Sequence, residues 1–383
     1  MKILFDYQIF ELQRFGGISN AYVNLIKNFP PAVGYDIAVK DSENIHLIES
    51  NLLKTGKMHS YDSFLANCHF KGKRHIYNAL KHFYPSIEST YKNRMYSIKL
   101  LEQGNYDIFH PTFFDDYFQS HLHGKPFVLT IYDMISELFF DKNHMQTVNK
   151  RKMANSAAHI VAISEKTKED IVNILHVDES KISVVYLATN DIRQDRLDPI
   201  VEEKYILFVG LRGGYKNFLP MVRALAPVFR KDRALKLVCT GNDFTNDELE
   251  EFTRCGVSDQ VVHLYPTDSE LRNLYQNAQC FVYPSLYEGF GIPILEAWQC
   301  DCPVLLNNKS CFPEIACDAA VYFNLDNEQS DLTETMESFL IMPADDRRKL
   351  INAQRKRLAE FSWKKSSEQL LEVYQKVLCR CDS

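Results

Sequence analysis

Residues 280–296, CFVYPSLYEGFGIPILE, combine an apolar run, a loop with two glycines and the start of a helix. Cys280–Tyr283 is continuously apolar, which is typical of a strand buried on both faces of a parallel sheet. Pro293 stands where a proline commonly opens a helix. Glycines let a loop approach a ligand closely, and a helix N-terminus offers unpaired N–H groups to an anion. The segment predicts a strand–loop–helix unit that directs Glu288 and Glu296 toward one ligand. A tight turn with two solvated glutamates is the plainer alternative.

Strand–helix alternation continues on both sides of this segment. Ten short apolar runs predict strands, and helical patterns lie between them. The runs are Lys2–Asp6, Asp36–Val39, Phe127–Tyr132, His159–Ile163, Ile182–Tyr186, Tyr205–Val209, Leu235–Thr240, Val261–Leu264, Cys280–Tyr283 and Pro303–Leu306. Thr267–Glu270 has the sequence of a capping box, and Asn217 stands where it can cap a following helix. The alternation predicts doubly wound α/β sheets.

The length of 383 residues predicts two domains, or at most three. An acidic, weakly apolar break suits an exposed linker at 191–204. We therefore expect one domain over 1–190 and a second over 205–362. The final segment, 363–383, contains an amphipathic helix that needs an apolar surface, and we expect it to dock on the N-terminal domain.

Composition narrows the class of protein. A net charge of −6 and a pI of about 6.1 argue against a nucleic-acid-binding protein. The chain contains no apolar run of membrane-spanning length, and Met1–Asp6 predicts a strand rather than a signal peptide. The ten cysteines are mostly scattered, which favours reduced thiols over a disulfide or zinc framework. The chain has neither a P-loop nor a GxGxxG motif. These features together predict a cytoplasmic enzyme that uses neither NTP hydrolysis nor NAD.

The Glu-x7-Glu pattern in EGFGIPILE (288–296) resembles the signature of the retaining glycosyltransferases of family 4. The resemblance implies the GT-B fold: two Rossmann-like domains facing a cleft, with the C-terminal helix packing back across. In that family the first glutamate contacts the transferred sugar, neighbouring backbone amides hold the sugar hydroxyls, and the second glutamate grips the ribose. These roles would fall on Glu288, with Gly289, Phe290 and Gly291, and on Glu296.

A basic loop, FVGLRGGYKN (208–217), resembles the second motif of the same family. A nucleotide diphosphate develops negative charge as its bond to the sugar breaks. An arginine fork and a lysine point charge stabilise that charge without a metal. Arg212 and Lys216 are the candidates for both catalysis and donor binding. A solvated turn is the alternative for this loop taken alone.

The glycine pair in RFGGIS (14–19) lies between the first strand and a helix. In similar glycosyltransferases this pair lets a backbone N–H touch the donor diphosphate and helps to shape the acceptor pocket. The donor contact would fall on Gly17, and a weaker acceptor or sugar contact on Gly16. A simple glycine turn is the alternative.

One strand end departs from the family pattern. Many relatives have His-Asp there, with the histidine reaching the donor sugar, whereas this chain has Tyr132-Asp133. Tyrosine can hydrogen-bond a hydroxyl but lacks imidazole basicity near neutral pH. We therefore expect Tyr132 to position sugar rather than to transfer protons, with Asp133 beside it. His110, near another strand end, is a further candidate for a sugar or acceptor contact.

Asp115-Asp116 invites a metal hypothesis, because other glycosyltransferase folds bind a divalent cation through Asp-x-Asp. The spacing here differs, and aromatic residues flank the pair, which favours an acceptor-side loop. We therefore expect no metal site and no cofactor, with the nucleotide diphosphate sugar as a co-substrate.

Residues 70–100 are locally basic and aromatic in an acidic chain. Their cations, which include Lys71, Lys73 and Arg74, predict contact with anionic lipid headgroups. A solvated helical excursion is the equally weighted alternative.

The combined prediction is a metal-independent retaining glycosyltransferase. It would move a sugar from a nucleotide diphosphate sugar to a hydroxyl of a glycan or lipid-linked glycan. GDP-mannose or a UDP-sugar is the favoured donor. The expected location is the cytoplasm, with peripheral attachment to the inner face of the plasma membrane as an open alternative. A sugar-nucleotide epimerase of the related two-domain fold is one alternative. A non-catalytic nucleotide-sugar- or glycan-binding partner is the other.

Overall fold

The computed structural model describes residues 1–53, 89–140, 144–192, 198–326 and 329–381, together with positions 73 and 76. The chain divides into two compact units. The first unit comprises Met1–Ile163, Thr167–Tyr186 and Trp363–Ser383. The second unit comprises Ser164–Lys166 and Leu187–Ser362.

Among the described residues, the first unit contains six parallel strands in two three-stranded sheets, ordered β2-β1-β3 and β4-β5-β6. A parallel bridge between Phe109 and Phe127 joins β3 to the chain entering β4. The strands are β1 (Lys2–Phe5), β2 (Gly34–Ile37), β3 (Ile108–His110), β4 (Val128–Ile131), β5 (His159–Ala162) and β6 (Ile182–Val184). All residues of β3, β4 and β5 are buried, which explains their continuously apolar sequence.

Helices connect these strands. In chain order they are α1 (Gln8–Leu12), α2 (Gly17–Lys27), α3 (Ile45–Glu49), α4 (Ser89–Gln103), α5 (Ile135–Phe139), α6 (Met145–Ser156) and α7 (Glu165–Asp170). A π-turn at Ile171–Leu175 follows α7.

The second unit contains one six-stranded parallel sheet ordered β12-β11-β10-β7-β8-β9. Its strands are β7 (Tyr205–Phe208), β8 (Lys236–Cys239), β9 (Val261–His263), β10 (Cys280–Tyr283), β11 (Val304–Asn307) and β12 (Val321–Phe323). Its helices are α8 (Phe218–Lys231), α9 (Asn246–Cys255), α10 (Asp268–Asn277), α11 (Ile292–Gln299), α12 (Phe312–Ala316), α13 (Leu332–Leu340) and α14 (Ala344–Leu358). This strand order is that of a Rossmann fold.

The core of the second unit forms where α8 covers the sheet. Phe218, Met221, Val222 and Leu225 are at most 1% exposed and pack on strand residues such as Phe208. Their i, i+3, i+4, i+7 spacing places them on one face of the helix. The predicted capping box is confirmed at α10, where Thr267 and Glu270 bond each other's backbone.

The C-terminal helix α15 (Trp363–Cys381) belongs to the first unit, where it packs against α2 and β5. Ser367 Oγ donates to the Leu25 carbonyl over 3.1 Å, and Tyr374 is fully buried.

Two strands and one cap differ from the sequence-based predictions. β3 and β12 were not predicted. Asn217 lies at the N-terminus of α8, but its side chain makes no cap; the amide donates instead to the Leu325 carbonyl over 2.9 Å. Every cysteine whose side chain the structure describes is a free thiol.

No helix in the described residues has the length and apolar character needed to cross a bilayer. Most of the predicted basic-aromatic stretch, including Lys71 and Arg74, lies outside the described residues.

Candidate active site

The second unit has its chain-order switch between β7 and β10. These neighbouring strands are parallel, and the chain proceeds outward from them in opposite directions along the sheet. Ligands of open α/β sheets bind beyond the carboxyl ends of the strands at such a switch. The two loops that begin there are 209–217 and 284–291, and the Leu286 N–H donates to the Tyr215 carbonyl over 2.8 Å. The two loops that the sequence predicts to bind a ligand are therefore in contact, beyond the carboxyl ends of β7 and β10.

The loop after β10 owes its shape to its second glycine. Gly291 has φ 89°, a left-handed conformation that disfavours other residues, and it is the N-cap of α11. A Cβ atom there would lie 3.0 Å from Ile294 Cδ1 and 3.3 Å from the Phe312 ring. Phe290 is 2% exposed, and its ring meets Phe361 edge-on at 5.7 Å. The conformation of Gly291 and the burial of Phe290 explain why these residue types lie between Glu288 and Glu296.

Lys216 and Glu288 form an ion pair across the two loops. Lys216 Nζ lies 2.6 Å from Glu288 Oε1, and the side chains are 18% and 10% exposed. The ammonium group also lies over the Tyr215 and Tyr283 rings, at 5.2 and 5.7 Å from their centroids. The aromatic faces and the carboxylate together hold a cation at the switch point.

Glu296 lies one turn into α11 and is partly buried. Glu296 Oε2 accepts a long hydrogen bond of 3.5 Å from the Tyr275 hydroxyl. Burial raises the pKa of its carboxyl group to about 7. A carboxyl group with this pKa changes its charge near neutral pH, and a ligand hydroxyl that hydrogen-bonds it favours the ionised form.

Arg212 differs from the prediction. Its Nε donates to Glu248 Oε1 over 2.9 Å, and the two side chains are 4% and 9% exposed. The remaining guanidinium nitrogens donate to the carbonyls of Thr240, Asn242 and Asp243. These bonds tie the loop after β7 to the loop after β8. The group that we expected to meet the diphosphate is therefore engaged by protein acceptors.

The glycine pair of the first unit opens α2. Gly17 is the first residue of this helix and Gly16 its N-cap. A Cβ atom on Gly16 would collide with the side-chain amide of Gln13, whose Oε1 accepts from the Ser19 N–H over 3.1 Å. Gly16 is thus required for close packing, while Gly17 lies at the helix N-terminus.

Tyr132 and Asp133 follow β4, and the structure gives them different surroundings. Tyr132 is 7% exposed, and within the described residues its hydroxyl has no hydrogen-bond partner. Its ring meets Tyr22 edge-on at 5.9 Å. Asp133 Oδ1 accepts from the Ile135 N–H over 2.9 Å, and its carbonyl accepts from Lys150 Nζ over 3.0 Å. Asp133 therefore stabilises the start of α5, and the tyrosine hydroxyl is the group left to meet a ligand.

His110 is a core residue, which corrects the predicted sugar or acceptor contact. It is fully buried, and its ring stacks on Phe5. Nδ1 is hydrogen-bonded to the Tyr374 hydroxyl at 2.5 Å and Nε2 to Thr130 Oγ1 at 2.9 Å. Burial lowers the pKa of the imidazole to about 3. A neutral ring with both nitrogens occupied holds α15 against β3 and β4 instead.

Asp115 and Asp116 are engaged by protein groups. Asp115 accepts from the Tyr117 N–H over 3.1 Å and lies 3.5 Å from Arg94, and Asp116 pairs with Lys152. Over the described ranges, no group of three His, Cys, Asp or Glu residues is placed to hold a metal ion.

Two family models match the chain. The model described as Glycosyl transferases group 1 matches residues 191–357, and the model described as Glycosyltransferase Family 4 matches residues 61–192. Together, the two glycosyltransferase models match residues 61–357. The first match contains both loops of the switch point, Lys216 and the two glutamates.

Curated relatives of this glycosyltransferase-family chain include mannosyltransferases. The O-antigen chain mannosyltransferase RfbU of Salmonella typhimurium is 30% identical over 207 residues, which cover 53% of this chain and 58% of that protein. The O-antigen chain mannosyltransferase B of Escherichia coli is 26% identical over 236 residues, or 58% and 61% of the two chains. The matches thus span a little over half the length of these relatives.

A solved structure supports the fold over nearly the whole chain. The crystal structure of Anabaena Alr3699/HepE in complex with UDP and glucose has a TM-score of 0.71 and 15% identity, and the match covers 98% of this chain and 100% of that one. The predicted GT-B fold is confirmed.

The structure adds three residues to this glycosyltransferase-family site that sequence reasoning missed. Ser310 holds the main chain of Glu288 from the loop after β11: the Glu288 N–H donates to Ser310 Oγ over 3.1 Å, and Oγ donates back to the Glu288 carbonyl over 2.8 Å. Glu248 holds Arg212, as described. Tyr265, just beyond β9, is 65% exposed and stands edge-on to His263 at 4.4 Å. All three lie beyond strand ends or on the helix that follows, which is the signal that could have found them.

Proposed function

We propose that this chain is a metal-independent retaining glycosyltransferase that moves a sugar from a nucleotide diphosphate sugar to a hydroxyl of a glycan or lipid-linked glycan. The observation that carries the proposal is the Lys216–Glu288 ion pair at the switch point of the second unit. A cation and a carboxylate at hydrogen-bond distance suit a substrate that carries a diphosphate next to a sugar. The mannosyltransferase relatives favour a mannose donor, whereas the solved UDP complex of Alr3699/HepE keeps UDP-sugars in the test.

The leaving diphosphate is stabilised by Lys216 and by the positive end of the α11 helix dipole. In the ligand-free chain the ammonium group rests on Glu288, and in the donor complex it turns to the phosphate oxygens, where negative charge develops. The bond from the anomeric carbon to the β-phosphate oxygen breaks, and the acceptor oxygen bonds to that carbon on the same face. The acceptor proton passes to the departing phosphate oxygen. Arg212 supports this step indirectly, by fixing the loop that positions Lys216.

Glu288 stabilises the positive charge that develops on the sugar ring, and the backbone amides of 289–291 hold its hydroxyls. Ser310 brackets the Glu288 main chain, so the carboxylate has little freedom to move away. In the first unit, taken by itself, the N-terminus of α2 at Gly17 suits an anion, and the Tyr132 hydroxyl suits a sugar hydroxyl. Burial raises the pKa of the Tyr132 hydroxyl well above its usual value, which suits positioning and not proton transfer.

Tyr265 provides an exposed aromatic face for the nucleotide base. It lies beyond β9, two strands from the Lys216 loop, and His263 packs against its ring. Phe244, after β8, also packs on His263, with 5.3 Å between the ring centroids, and this contact supports the His263 ring on which Tyr265 packs. Stacking on such a face tolerates different bases, and the proposal therefore leaves both GDP- and UDP-sugars open.

The function is tested with the purified chain, a set of GDP- and UDP-sugars, and hydroxyl acceptors of lipid-linked and free glycans. We expect release of nucleoside diphosphate with formation of a new glycosidic bond of the donor's own anomeric configuration, read by NMR. Activity is expected to survive EDTA. Loss in EDTA with rescue by Mn²⁺ would contradict the metal-independent step. A changed nucleotide sugar without transfer would identify an epimerase, and binding without turnover a non-catalytic partner.

Glu296 makes the donor affinity depend on pH. With a carboxyl pKa of about 7, the group gains its charge as pH rises, and only the carboxylate accepts from both ribose hydroxyls. We expect the affinity for a nucleotide sugar, measured by calorimetry, to rise between about pH 6 and pH 8 in wild type. Glu296→Gln should bind more weakly and with a flat profile.

The ionisation of Glu296 also affects the stability of the folded chain. The native carboxyl group holds its proton up to about pH 7, whereas the unfolded group loses it near 4.5, so ionisation costs stability as pH rises through this range. Glu296→Gln should therefore be more resistant to thermal unfolding than wild type at pH 8, without ligand. If Glu296→Gln keeps the wild-type affinity and pH profile, the assignment of Glu296 to ribose binding is contradicted.

A further inference from the structure

Five large apolar side chains cluster on the surface of the first unit, at the end of α5 and the start of α6. They belong to the sixteen large hydrophobic residues that the described part of the chain exposes, and they are Leu138, Phe139, Phe140, Met145 and Val148. We call them the α5–α6 apolar patch. Met145 is 73% exposed and Phe140 57%. Contiguous exposed apolar residues mark an interaction site more often than single ones do.

The interior side of the same two helices contains a buried ion pair. The Lys150 and Glu137 side chains are 0% and 2% exposed and lie 2.8 Å apart. Lys150 Nζ also donates to Ser136 Oγ over 3.0 Å and lies over the Phe114 ring at 5.2 Å. Thr147, Met153 and Ala154 of α6 are buried as well. The helix α6 therefore has apolar side chains on its exposed side as well as on its interior side.

The buried ion pair fixes the orientation of the apolar patch. A buried ion pair costs desolvation, and removing one partner leaves an uncompensated charge. The pair therefore holds α5 and α6 in one orientation, with the apolar patch turned outward. Such a fixed apolar face suits a partner that is itself apolar.

The charges around the patch indicate which partner. Arg151 and Lys152 follow Val148 by three and four residues on α6 and are exposed. Lys152 is 60% exposed and pairs with Asp116, and Arg151 makes one long bond of 3.4 Å to the Ile174 carbonyl. Among the described residues from 135 to 156, the one carboxylate is that of buried Glu137. An apolar face with a cationic rim matches the boundary between acyl chains and anionic headgroups.

We propose that the α5–α6 apolar patch is a membrane-docking surface, which inserts Phe140 and Met145 among the acyl chains of a bilayer containing anionic lipid. The proposal rests on residues of the first unit alone. It uses neither the donor site nor the basic-aromatic stretch at 70–100, so its outcome is independent of the proposed activity.

A single tryptophan reporter tests the insertion. The two native tryptophans, Trp298 and Trp363, are 1% and 8% exposed, so an added surface tryptophan dominates any response to lipid. Phe140→Trp is compared with Phe15→Trp, a matched control at 60% exposure in the same unit. The vesicles are phosphatidylcholine alone or an equal mixture with phosphatidylglycerol. We expect a blue shift, and quenching by lipid with brominated acyl chains, for Phe140→Trp in the mixed vesicles only.

A second measurement uses flotation with the same vesicles. Phe140→Ser with Met145→Ser should lower the partition constant at least ~10-fold, because two large side chains no longer enter the apolar region. Ile341→Ser with Leu249→Ser removes two exposed apolar side chains from the second unit and should leave partitioning unchanged. Circular dichroism melting establishes that each variant is folded.

Other outcomes overturn the proposal. Equal responses of the two tryptophan reporters would mean unspecific adsorption, and no response from either would exclude docking. A wild-type dimer in gel filtration that the Phe140/Met145 variant abolishes, with no flotation of either protein, would assign the patch to a second copy of the chain.

Discussion

Lys216→Ala is expected to lower kcat by at least ~10²-fold, which is the usual cost of removing one group that stabilises developing charge in a closed site. Lys216 provides the cation at the switch point of the second unit, 2.6 Å from Glu288. Without it, the leaving diphosphate keeps only backbone N–H groups, and Glu288 loses its counter-charge. The measurement is steady-state kinetics on the donor that protects the chain best against thermal unfolding.

Two controls accompany Lys216→Ala. Lys216→Arg preserves the charge and should retain much of the activity, with the loss reflecting geometry. Lys231→Ala removes another lysine of an ion pair, to Glu337 at 2.5 Å, on the exposed end of α8, and should leave kcat unchanged. Wild-type kcat in Lys216→Ala would refute the proposed role of the lysine in leaving-group stabilisation.

Arg212→Ala is expected to destabilise the second unit by about 3–5 kcal/mol, because it leaves Glu248 as an unpaired charge in a buried place. The guanidinium group also joins three carbonyls of the loop after β8, and these lose their donor. Urea denaturation followed by circular dichroism measures the change in the free energy of unfolding. Loss of activity should follow from the altered position of Lys216 and be smaller than for Lys216→Ala under conditions where the variant is folded.

A double-mutant cycle separates this role from phosphate binding. Glu248→Leu alone should also destabilise, whereas Arg212→Met with Glu248→Leu should recover much of the loss, because both charges are gone. Arg355→Ala breaks an exposed pair with Asp301 and should cost no more than about 1 kcal/mol. An Arg212→Ala protein with wild-type stability but a ~10²-fold lower kcat would contradict the structural role and indicate that Arg212 contacts the diphosphate directly.

The predicted strands illustrate what a sequence pattern can resolve. Each of the ten predicted runs overlaps an observed strand, and Cys280–Tyr283 agrees at both ends. Continuous burial on both faces of a parallel sheet leaves a run of four or five apolar residues, which is legible without a structure. Ile108–His110 and Val321–Phe323 are three-residue strands, and their positions depend on neighbours distant in sequence.

Some residues of the candidate site could be predicted from the sequence and others could not. Glu288 and Lys216 could be predicted to meet, since parallel strands present the loops at their carboxyl ends to one another. Arg212, four residues before Lys216 in the same loop, could not be told apart from it. Its guanidinium turns toward Glu248, 36 residues further along the chain, and only the folded loops decide which acceptor is nearer.

The strand–loop–helix unit at 280–296 and the loops that follow β7 and β10 could be predicted from the sequence, because they follow from local conformation and from the burial of short apolar runs. Which polar side chains have hydrogen-bond partners within the protein depends on the folded structure. His110 stands near the end of a strand, as a ligand would, but Tyr374 and Thr130 occupy both its nitrogens. Tyr132 is as deeply buried, yet its hydroxyl has no partner among the described residues. Hydrogen-bond partners come from distant segments, so the difference between a core residue and a candidate ligand contact arises only when the chain is folded.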